Sequence, residues 1–342
     1  MTLYEIDPIC DPRWNEFVER HEGGSIFHTA EWLDALRTTY QYEPVAFTDA
    51  APGERVNNGL LFCRVRSWMT GSRMVSLPFS DHCEPLVQSS TALDSMLDSV
   101  KGVVGRHARY IEIRPRQQMS VPAGFAPSAA YCLHSIDLRP ELDTIFSRFH
   151  KSHIQRSVRK AERLGLQVDV GRSSALVDAF CALHVLTRRR LGVPVQPVSW
   201  FRNLVESLGD RLTVYLATHR GHPAAAIVTA VQKRTLVYKY GSSDTAYNRY
   251  GGTTLLFWRA IQRAKEEGAQ EFDLGRSDLD NEGLIAFKDH LGATRRPLTY
   301  YRYSLSADSA RSWTPSIVRR AYALVPKRIQ GTIGSALYRH LG

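Results

Sequence analysis

Alternating apolar and polar residues mark two regions of the chain, 45–67 and 212–243. Each region contains apolar runs separated by turn residues, such as the Pro, Gly and Asn of 52–59 or the RGHP of 220–223. A period of two places every second side chain on the same face of a strand. The pattern therefore predicts a β-hairpin in each region.

A helix followed by a strand comes after each predicted hairpin, at 93–116 and at 255–278, and both strands end near an arginine. The two copies are about 160–170 residues apart, far more than the period of a solenoid repeat. We infer two homologous domains, each with helices packed against a sheet. The predicted fold class is therefore α/β, with α+β mixed sheets.

Pro140 marks the predicted junction between the domains, because the residues before it suit a strand and those after it suit a helix. The first domain is predicted to cover 1–139 and the second 140–305, followed by a basic amphipathic helical tail over 306–342. Apolar residues recur in the tail at four-residue steps, so we expect it to pack on the first domain; contact of 313–342 with a membrane surface is the alternative. Further predicted elements are a helical region from 140 to 165, helices over 175–191, 198–208, 252–267 and 283–291, and strands over 235–240, 270–274 and 297–305.

The apolar runs of the chain are too short to cross a membrane; AAAIVTAV at 224–231 has the length of a strand. The start, MTLYEIDPICDPRW, lacks the basic segment and apolar run of a secretory signal. Five scattered cysteines without a CxxC pair indicate a reducing compartment and argue against a disulfide framework or a structural zinc site. We therefore expect a cytoplasmic protein, with peripheral attachment at the inner membrane face as an alternative.

Positive charge is concentrated in two parts of a chain whose net charge is +10. Six Lys and Arg residues lie within 148–165, and there is no acidic residue after Asp308. In a helix, the spacing of the first group makes a basic face of Arg156, Arg159, Lys160 and Arg163. Such charge favours a phosphate-bearing partner, such as tRNA, a nucleotide-linked precursor or an anionic lipid surface. The alternative is a solvated face that only keeps the protein soluble.

Two glycines lead into the predicted helix over 252–267, in the sequence RYGGTT. A helix N-terminus offers unbonded N–H groups and a partial positive charge, which suit an anion. The residues predicted to bind the donor phosphate are Arg249, Gly251, Gly252 and Thr253. The alternative is a purely structural turn. The sequence resembles the [R/Q]-x-x-G-x-[G/A] turn that holds the coenzyme A pyrophosphate in GNAT acetyltransferases, but the β-branched Thr254 departs from it and weakens the prediction of coenzyme A.

Four segments resemble FemAB-type transferases: SIFHTAEWL (25–33), KSHIQRSVRKAERLGL (151–166), YKYGSSDTAYNRYGG (238–252) and EFDLGRSDLDNEGLIAFKDHLGA (271–293). That family and the related BioF2-like acetyltransferases consist of two GNAT-like domains, so the resemblance implies two tandem GNAT-like (acyl-CoA N-acyltransferase) domains here. FemAB enzymes add amino acids from aminoacyl-tRNA to peptidoglycan precursors, and relatives in exopolysaccharide systems are assigned acyl transfer. The resemblance therefore implies transfer of an acyl or aminoacyl group to an amine of a cell-envelope precursor, with acyl-CoA or aminoacyl-tRNA as cosubstrate and no tightly bound cofactor.

Acyl transfer to an amine needs an electrophilic ester or thioester and stabilisation of a tetrahedral oxyanion. The resemblance places Lys288 by the reacting groups, and we assign it to the oxyanion; a solvated helix lysine is the alternative. Asp273 would position or deprotonate the amine, unless it forms a buried pair with Arg276 that holds the loop. Tyr238 and Tyr240 are two residues apart, so we expect them on one face of their strand. Tyr238 is predicted to bind the substrate, and Tyr240 is predicted to face the acceptor substrate as a catalytic residue, with a core aromatic as the alternative.

Three arginines are predicted to bind the substrate: Arg276 at the end of a strand, Arg190 before a proline-rich loop, and Arg37 in the first domain. No grouping of His, Cys and Asp suggests a metal site, and no nucleophile motif suggests a covalent intermediate. We therefore expect direct attack within a ternary complex. Two other functions stay open: an acetyl-CoA-dependent N-acetyltransferase of a small molecule, and a non-catalytic basic adaptor for anionic lipid or nucleic acid.

Overall fold

The computed structural model describes residues 2–68, 71–105, 108–305 and 338–340. These residues form two compact units. Unit 1 consists of the described residues up to Ala130 and from Pro297 onwards, and unit 2 consists of Tyr131–Arg296. We expected the boundaries at residues 139 and 305, and the structure moves both. The strand before Pro140 pairs within unit 2, and the strand predicted over 297–305 pairs within unit 1. Pro140 therefore follows a strand that ends at Asp137, and it lies within unit 2.

The helices and strands follow one another along the described chain. They are β1 (Tyr4–Ile6), α1 (Pro12–Arg20), α2 (Ala30–Tyr40), β2 (Glu43–Thr48), β3 (Gly59–Ser67), β4 (Gly71–Val75), α3 (Ser90–Val104), β5 (Tyr110–Ile113), β6 (Ala126–Asp137), α4 (Leu142–Arg148), α5 (Arg156–Arg163), β7 (Gln167–Gly171), α6 (Ser174–Arg190), α7 (Val198–Leu208), β8 (Leu212–His219), β9 (His222–Gln232), β10 (Thr235–Ser243), α8 (Gly252–Glu266), β11 (Glu271–Asp278), α9 (Glu282–His290) and β12 (Thr294–Ser304).

Unit 1 is built on strands in the order β1-β2-β3-β4-β5-β12. The pair β4–β5 is parallel, and the other registered pairs are antiparallel. The hairpin predicted over 45–67 is confirmed, since β2 pairs with β3 from Glu43↔Arg64 to Thr48↔Gly59. Helix α3 packs its apolar stripe on this sheet, because Leu93, Met96, Leu97 and Val100 recur at three- and four-residue steps.

Unit 2 has strands in the order β6-β11-β10-β9-β8-β7, of which only β10 and β11 are registered as a parallel pair. Helices α4, α5 and α8 cover one face, where Ile227 and Leu236 join the core. Helices α6 and α7 cover the other face, where Phe180 and Phe201 lie by Val228. The hairpin predicted over 212–243 and the helices predicted at 175–191, 198–208, 252–267 and 283–291 are confirmed to within a residue or two.

The helical region predicted from 140 to 165 is interrupted in the structure. Helix α4 ends at Arg148, and a π-helical turn over Lys151–Gln155 precedes α5. Phe149 leaves the helix to bury its ring at 1% exposure, and the His150 side chain accepts a hydrogen bond from the His153 N–H at 3.4 Å. Core packing and a local cap therefore outweigh helix propensity at this position.

The predicted tail over 306–342 lies outside the described residues except for a helical turn at 338–340. This turn packs within unit 1: the Tyr42 hydroxyl donates to the Arg339 carbonyl at 3.0 Å, and His340 Nδ1 lies 3.0 Å from the Ser67 hydroxyl. Among the described helices, none combines the length and the apolar composition that crossing a bilayer would require.

Candidate active site

The parallel strands β10 and β11 pair over three residues and then part. Their register runs from Thr235↔Glu271 to Val237↔Asp273. Directly afterwards, β10 has a bulge between Tyr238 and Tyr240 against β9, and β11 has a bulge between Asp273 and Arg276 against β6. A bulge adds one residue to one strand and bends it. The carboxyl ends of the two strands therefore form a cleft, which is where open α/β sheets bind ligands.

Lys288 reaches the bulge of β11 from helix α9. Asn281 caps this helix by accepting a hydrogen bond from the Leu284 N–H. The Lys288 side chain is 2% exposed, and its Nζ donates to the carbonyls of Gly275 at 2.8 Å and Arg276 at 3.1 Å. The alternative of a solvated helix lysine is therefore wrong. A buried ammonium is costly to desolvate, and these carbonyls offset part of that cost.

Asp273 holds the same bulge from its other side. The carboxylate is 1% exposed, and its Oδ1 accepts a hydrogen bond from the Gly275 N–H at 2.8 Å. Gly275 has a φ of +69°, a conformation that favours glycine. Arg276 places its guanidinium carbon 4.1 Å from the centroid of the Tyr131 ring. A described role of Asp273 is thus to fix the bulge backbone, and its action as a base stays a prediction.

His134 is a buried residue whose electrostatic neighbours include Lys288 and Asp289. The imidazole is fully buried on β6, and its Nε2 lies 3.2 Å from Asp289 Oδ1. Loss of solvation, and then the positive charge of Lys288, lower the pKa of His134. A lowered pKa favours the neutral imidazole, as burial beside a positive charge should.

The expectation that Tyr238 and Tyr240 share one face of their strand is wrong. The Tyr238 ring packs against Phe257 of α8, with centroids 4.8 Å apart. The Tyr240 ring packs on the opposite face against Phe201 of α7 at 5.2 Å, and its hydroxyl accepts a hydrogen bond from Trp200 Nε1 at 2.8 Å. The extra residue in the β10 bulge reverses the alternation, because side chains point to opposite faces with a period of two.

The two glycines before α8 pack against other parts of unit 2. At Gly251, whose φ is +79°, an added Cβ would lie 2.5 Å from Ser157 Oγ and 2.7 Å from the Ser157 carbonyl oxygen of α5. At Gly252, it would lie 3.3 Å from Ala225 Cβ. Thr254 is also turned inwards, since its hydroxyl lies 2.8 Å from Ser157 Oγ and donates to the Gly251 carbonyl. The absence of side chains is thus needed for packing, whether or not a phosphate binds here.

The N-terminus of α8 nevertheless keeps features that suit an anion. It has no side-chain cap, and Thr253 in its first turn is half-buried. Arg249 is exposed and lies over the Tyr250 ring, with its guanidinium carbon 4.9 Å from the ring centroid. Uncapped N–H groups and a nearby guanidinium are the usual elements of a phosphate site.

Two further arginines predicted to bind the substrate are Arg190 in unit 2 and Arg37 in unit 1. Arg190 is exposed at the end of α6. The contact with the following loop is made by Arg188 of the same helix, which donates to the Pro194 carbonyl at 2.8 Å. Arg37 belongs to unit 1 and lies 3.0 Å from Asp34 and 3.6 Å from Asp7. Substrate binding by Arg190, Arg276, Arg37 and Tyr238 stays a prediction.

Residues 148–289 match the family model described as "Acetyltransferase (GNAT) domain". The chain carries a GNAT acyltransferase domain. The predicted acyltransferase class is thereby confirmed. A search of curated protein sequences finds no match.

Solved structures with the same fold cover most of the chain. The crystal structure of FemX aligns with a TM-score of 0.69 at 15% identity, over 89% of this chain and 98% of FemX. The C-terminal domain of a protein described as a lysylphosphatidylglycerol synthetase, from Agrobacterium fabrum, aligns with a TM-score of 0.57 at 16% identity, over 87% and 92%. A tandem GNAT protein from the clavulanic acid biosynthesis pathway aligns with a TM-score of 0.55 at 11% identity, over 90% and 100%. At these identities the likeness shows the fold, and it confirms the predicted tandem GNAT-like architecture.

Several structural features of the GNAT domain were not predicted from the sequence. The bulges of β10 and β11, the Trp200–Tyr240 hydrogen bond and the cap of Gly275 by Asp273 all depend on tertiary contacts. One signal was present: a single glycine inside a strand pattern, as in EFDLGRSD, is typical of a bulge.

Proposed function

We propose that this protein transfers an acyl or aminoacyl group from a phosphate-bearing donor to an amine of a cell-envelope precursor, either peptidoglycan or exopolysaccharide. The reaction takes place in the cleft where β10 and β11 part. The observation that carries the proposal is the buried Lys288 ammonium on the Gly275 and Arg276 carbonyls at the end of β11. No metal or tightly bound cofactor is needed for this chemistry.

In the proposed reaction, the neutral amine of the acceptor attacks the carbonyl carbon of the donor ester or thioester. A C–N bond forms, and the carbonyl electron pair moves to oxygen to give a tetrahedral oxyanion. The oxyanion then collapses, the donor C–O or C–S bond breaks, and the amine proton leaves with the released hydroxyl or thiol. The positive charge of Lys288 favours the oxyanion, because a fixed charge in a dry site is worth more than in water. Its contacts with the β11 carbonyls make it a positioning residue for the same strand.

The donor is proposed to bind with its phosphates at the start of α8. The uncapped helix N-terminus and the exposed Arg249 support this position. Exposed Arg156 on α5 adds a second positive charge, since the next residue, Ser157, packs on Gly251. Aminoacyl-tRNA and acyl-CoA both carry phosphate, so this position is compatible with either donor. The basic face of α5 supports tRNA as the partner.

The acceptor class is supported by the likeness to FemX and to the lysylphosphatidylglycerol synthetase domain, since the latter name denotes an aminoacylated lipid. An envelope acceptor would place the protein at the cytoplasmic side of the inner membrane. Peripheral contact through 313–342 is part of this proposal.

The second candidate function is acetyl transfer from acetyl-CoA to a small molecule. It is favoured by the acetyltransferase description of the matched family and by the tandem GNAT structure. The inward position of Thr254 also supports it, because that side chain bonds to Ser157 and Gly251 and is 8% exposed. Thr254 is therefore a packing residue of the turn, which removes one argument against coenzyme A.

The test offers the purified full chain acetyl-CoA and aminoacyl-tRNA in separate reactions. The acceptors are a nucleotide-linked peptidoglycan precursor with a free amine, an amino-sugar exopolysaccharide precursor and a panel of small amines, and mass spectrometry detects the product. Transfer to an envelope acceptor supports the proposal, whereas transfer only to small amines supports the second candidate. If neither donor is consumed, the proposal fails and the non-catalytic basic adaptor becomes the better interpretation.

Lys288→Met tests the site itself. We expect kcat to fall about 10²–10³-fold, as for loss of one oxyanion-stabilising group, with a smaller change in the KM of the donor. Lys265→Met is a matched control, because Lys265 Nζ also donates to two backbone carbonyls, those of Leu138 and Arg139, each at 3.3 Å. Equal losses of kcat in the two variants would show that the role of Lys288 is structural only.

A further inference from the structure

Three histidines from two distant segments of the sequence meet on the surface of unit 2. His150 and His153 lie at the π-helical turn before α5, and His290 is the last residue of α9. Their candidate ligand nitrogens all lie within 4.8 Å of one another. The ring centroids of His153 and His290 are 4.6 Å apart with planes only 3° from parallel, and His150 lies 4.5 Å from His290.

The backbone holds these side chains together. The His150 N–H donates to the His290 carbonyl at 2.8 Å, which joins the end of α9 to the start of the π-helical turn. Gly292 follows with a φ of +69°, and an added Cβ there would lie 3.0 Å from the Arg148 carbonyl oxygen. The two segments are thus in close contact on either side of the histidines. The cluster is a consequence of the fold and not of flexible side chains alone.

The donor set has a definite chemical preference. Three imidazoles suit borderline divalent ions such as Zn²⁺, Ni²⁺ and Cu²⁺, whereas Mg²⁺ and Ca²⁺ prefer oxygen. Zinc–nitrogen bonds of about 2.0–2.1 Å in a tetrahedral site place the ligand nitrogens about 3.4 Å apart. His150 and His153 are exposed and His290 is half-buried, so small rotations of the rings can close the present separation.

A neighbouring hydroxyl can orient the first of these ligands. Ser152 Oγ lies 3.3 Å from His150 Nδ1. If Nε2 binds the ion, the proton of the neutral ring is on Nδ1, so the 3.4 Å hydrogen bond from the His153 N–H is given up and Nδ1 donates to this hydroxyl instead. Metal-bound histidines usually donate their other N–H in this way.

We propose that His150, His153 and His290 form a solvent-accessible site for one divalent transition-metal ion, with Zn²⁺ as the best-fitting ion and water in the remaining position. The bound ion tethers the end of α9, which carries Lys288, to the start of α5. This site is independent of the proposed acyl transfer, because its evidence is the ligand geometry alone.

The test uses the full chain without a histidine tag, stripped of metal with EDTA and transferred to a buffer that does not chelate. Isothermal titration with ZnCl₂ should show one equivalent, and Co²⁺ should give the visible absorption bands of a nitrogen-ligated ion. Zinc should also raise the Tm in proportion to the logarithm of its concentration, since the ion binds only the folded state.

The variants are His153→Ala, His290→Ala and, as control, His222→Ala. His222 is exposed and opposes His219 across the β8–β9 turn, so this substitution removes a surface histidine of unit 2 that lies outside the proposed site. We expect zinc affinity to fall about tenfold or more in the first two variants, with an unchanged Tm in EDTA for His153→Ala, and to stay the same in His222→Ala. Absence of binding to the wild type, or loss of binding only in His222→Ala, would overturn the proposal.

Discussion

Gly251 offers a direct measurement of the contact between α5 and the turn before α8. In Gly251→Ala, the new methyl group would overlap Ser157, whose carbonyl oxygen lies 2.7 Å from the Cβ position and cannot move without α5. An alanine with positive φ costs about 1 kcal/mol, and overpacking adds about 1–3 kcal/mol. We therefore expect the free energy of unfolding of unit 2 to fall by about 2–4 kcal/mol.

Gly268→Ala is the matched control for this substitution. Gly268 follows α8 at its other end, has a φ of +83°, and has no atom within 4 Å of an added Cβ. It therefore has the backbone penalty without the overlap, about 1 kcal/mol. The two substitutions differ mainly in the contact with Ser157.

The assay is hydrogen exchange of the α8 amides, followed by mass spectrometry, because it reports the opening of unit 2 by itself. Exchange should become roughly fivefold faster in Gly268→Ala and between roughly thirtyfold and several hundredfold faster in Gly251→Ala. Equal acceleration in both variants would mean that α5 does not press on the turn in solution. The interpretation of the glycine pair as a packing device would then be refuted.

Two further predictions concern ionisable groups. Burial lowers the pKa of His184 to about 4, so this residue is neutral in the folded state but takes up a proton in the unfolded state below about pH 6.5. Its contribution to the free energy of unfolding is therefore complete above pH 6.5 and is lost as the pH falls towards 4. From pH 7.5 to 5.0 the free energy of unfolding should fall by about 2 kcal/mol from this residue, and urea titrations should show a weaker pH dependence in His184→Gln; an unchanged dependence would contradict the assignment. In unit 1, Glu112→Gln should lower the free energy of unfolding by about 3–5 kcal/mol. Glu112 is 4% exposed and lies 2.9 Å from Arg114 and 2.8 Å from Arg302, so the substitution removes a buried carboxylate between two guanidinium groups. Hydrogen exchange of the β5 amides measures this loss of stability. As a control, the surface substitution Glu162→Gln should lower the free energy of unfolding by less than about 1 kcal/mol. Similar losses in both variants would contradict the prediction.

The order of helices and strands could be predicted because it depends on local patterns. The predicted helix over 252–267 is α8, whose observed range is Gly252–Glu266, and the predicted strand over 297–305 is most of β12. Apolar periodicity and glycine stops specify such elements without knowledge of their neighbours. The domain boundaries were less accurate, since the strand that ends at Asp137, shortly before Pro140, pairs with residues more than a hundred positions away.

The candidate site was only partly predictable. The resemblance to FemAB-type enzymes pointed to Lys288, but it did not indicate that the side chain is buried on the carbonyls of a bulge. The faces of Tyr238 and Tyr240 were predicted wrongly, because regular alternation was assumed through a strand that has an extra residue. A bulge depends on the partner strand, and periodicity within one strand does not reveal it.

By itself, the sequence determined the α/β elements and the repeated architecture, and its resemblance to FemAB-type enzymes indicated the acyltransferase class. Apolar periodicity, turn residues and motif order are properties of neighbouring positions, so they can be read without knowledge of the tertiary contacts. Only the tertiary structure decided which atoms meet: Lys288 with the β11 bulge, Gly251 with Ser157, and the three histidines on either side of the α9 end. Such contacts join residues far apart in the sequence, and they exist because burial of the shared core brings their elements together.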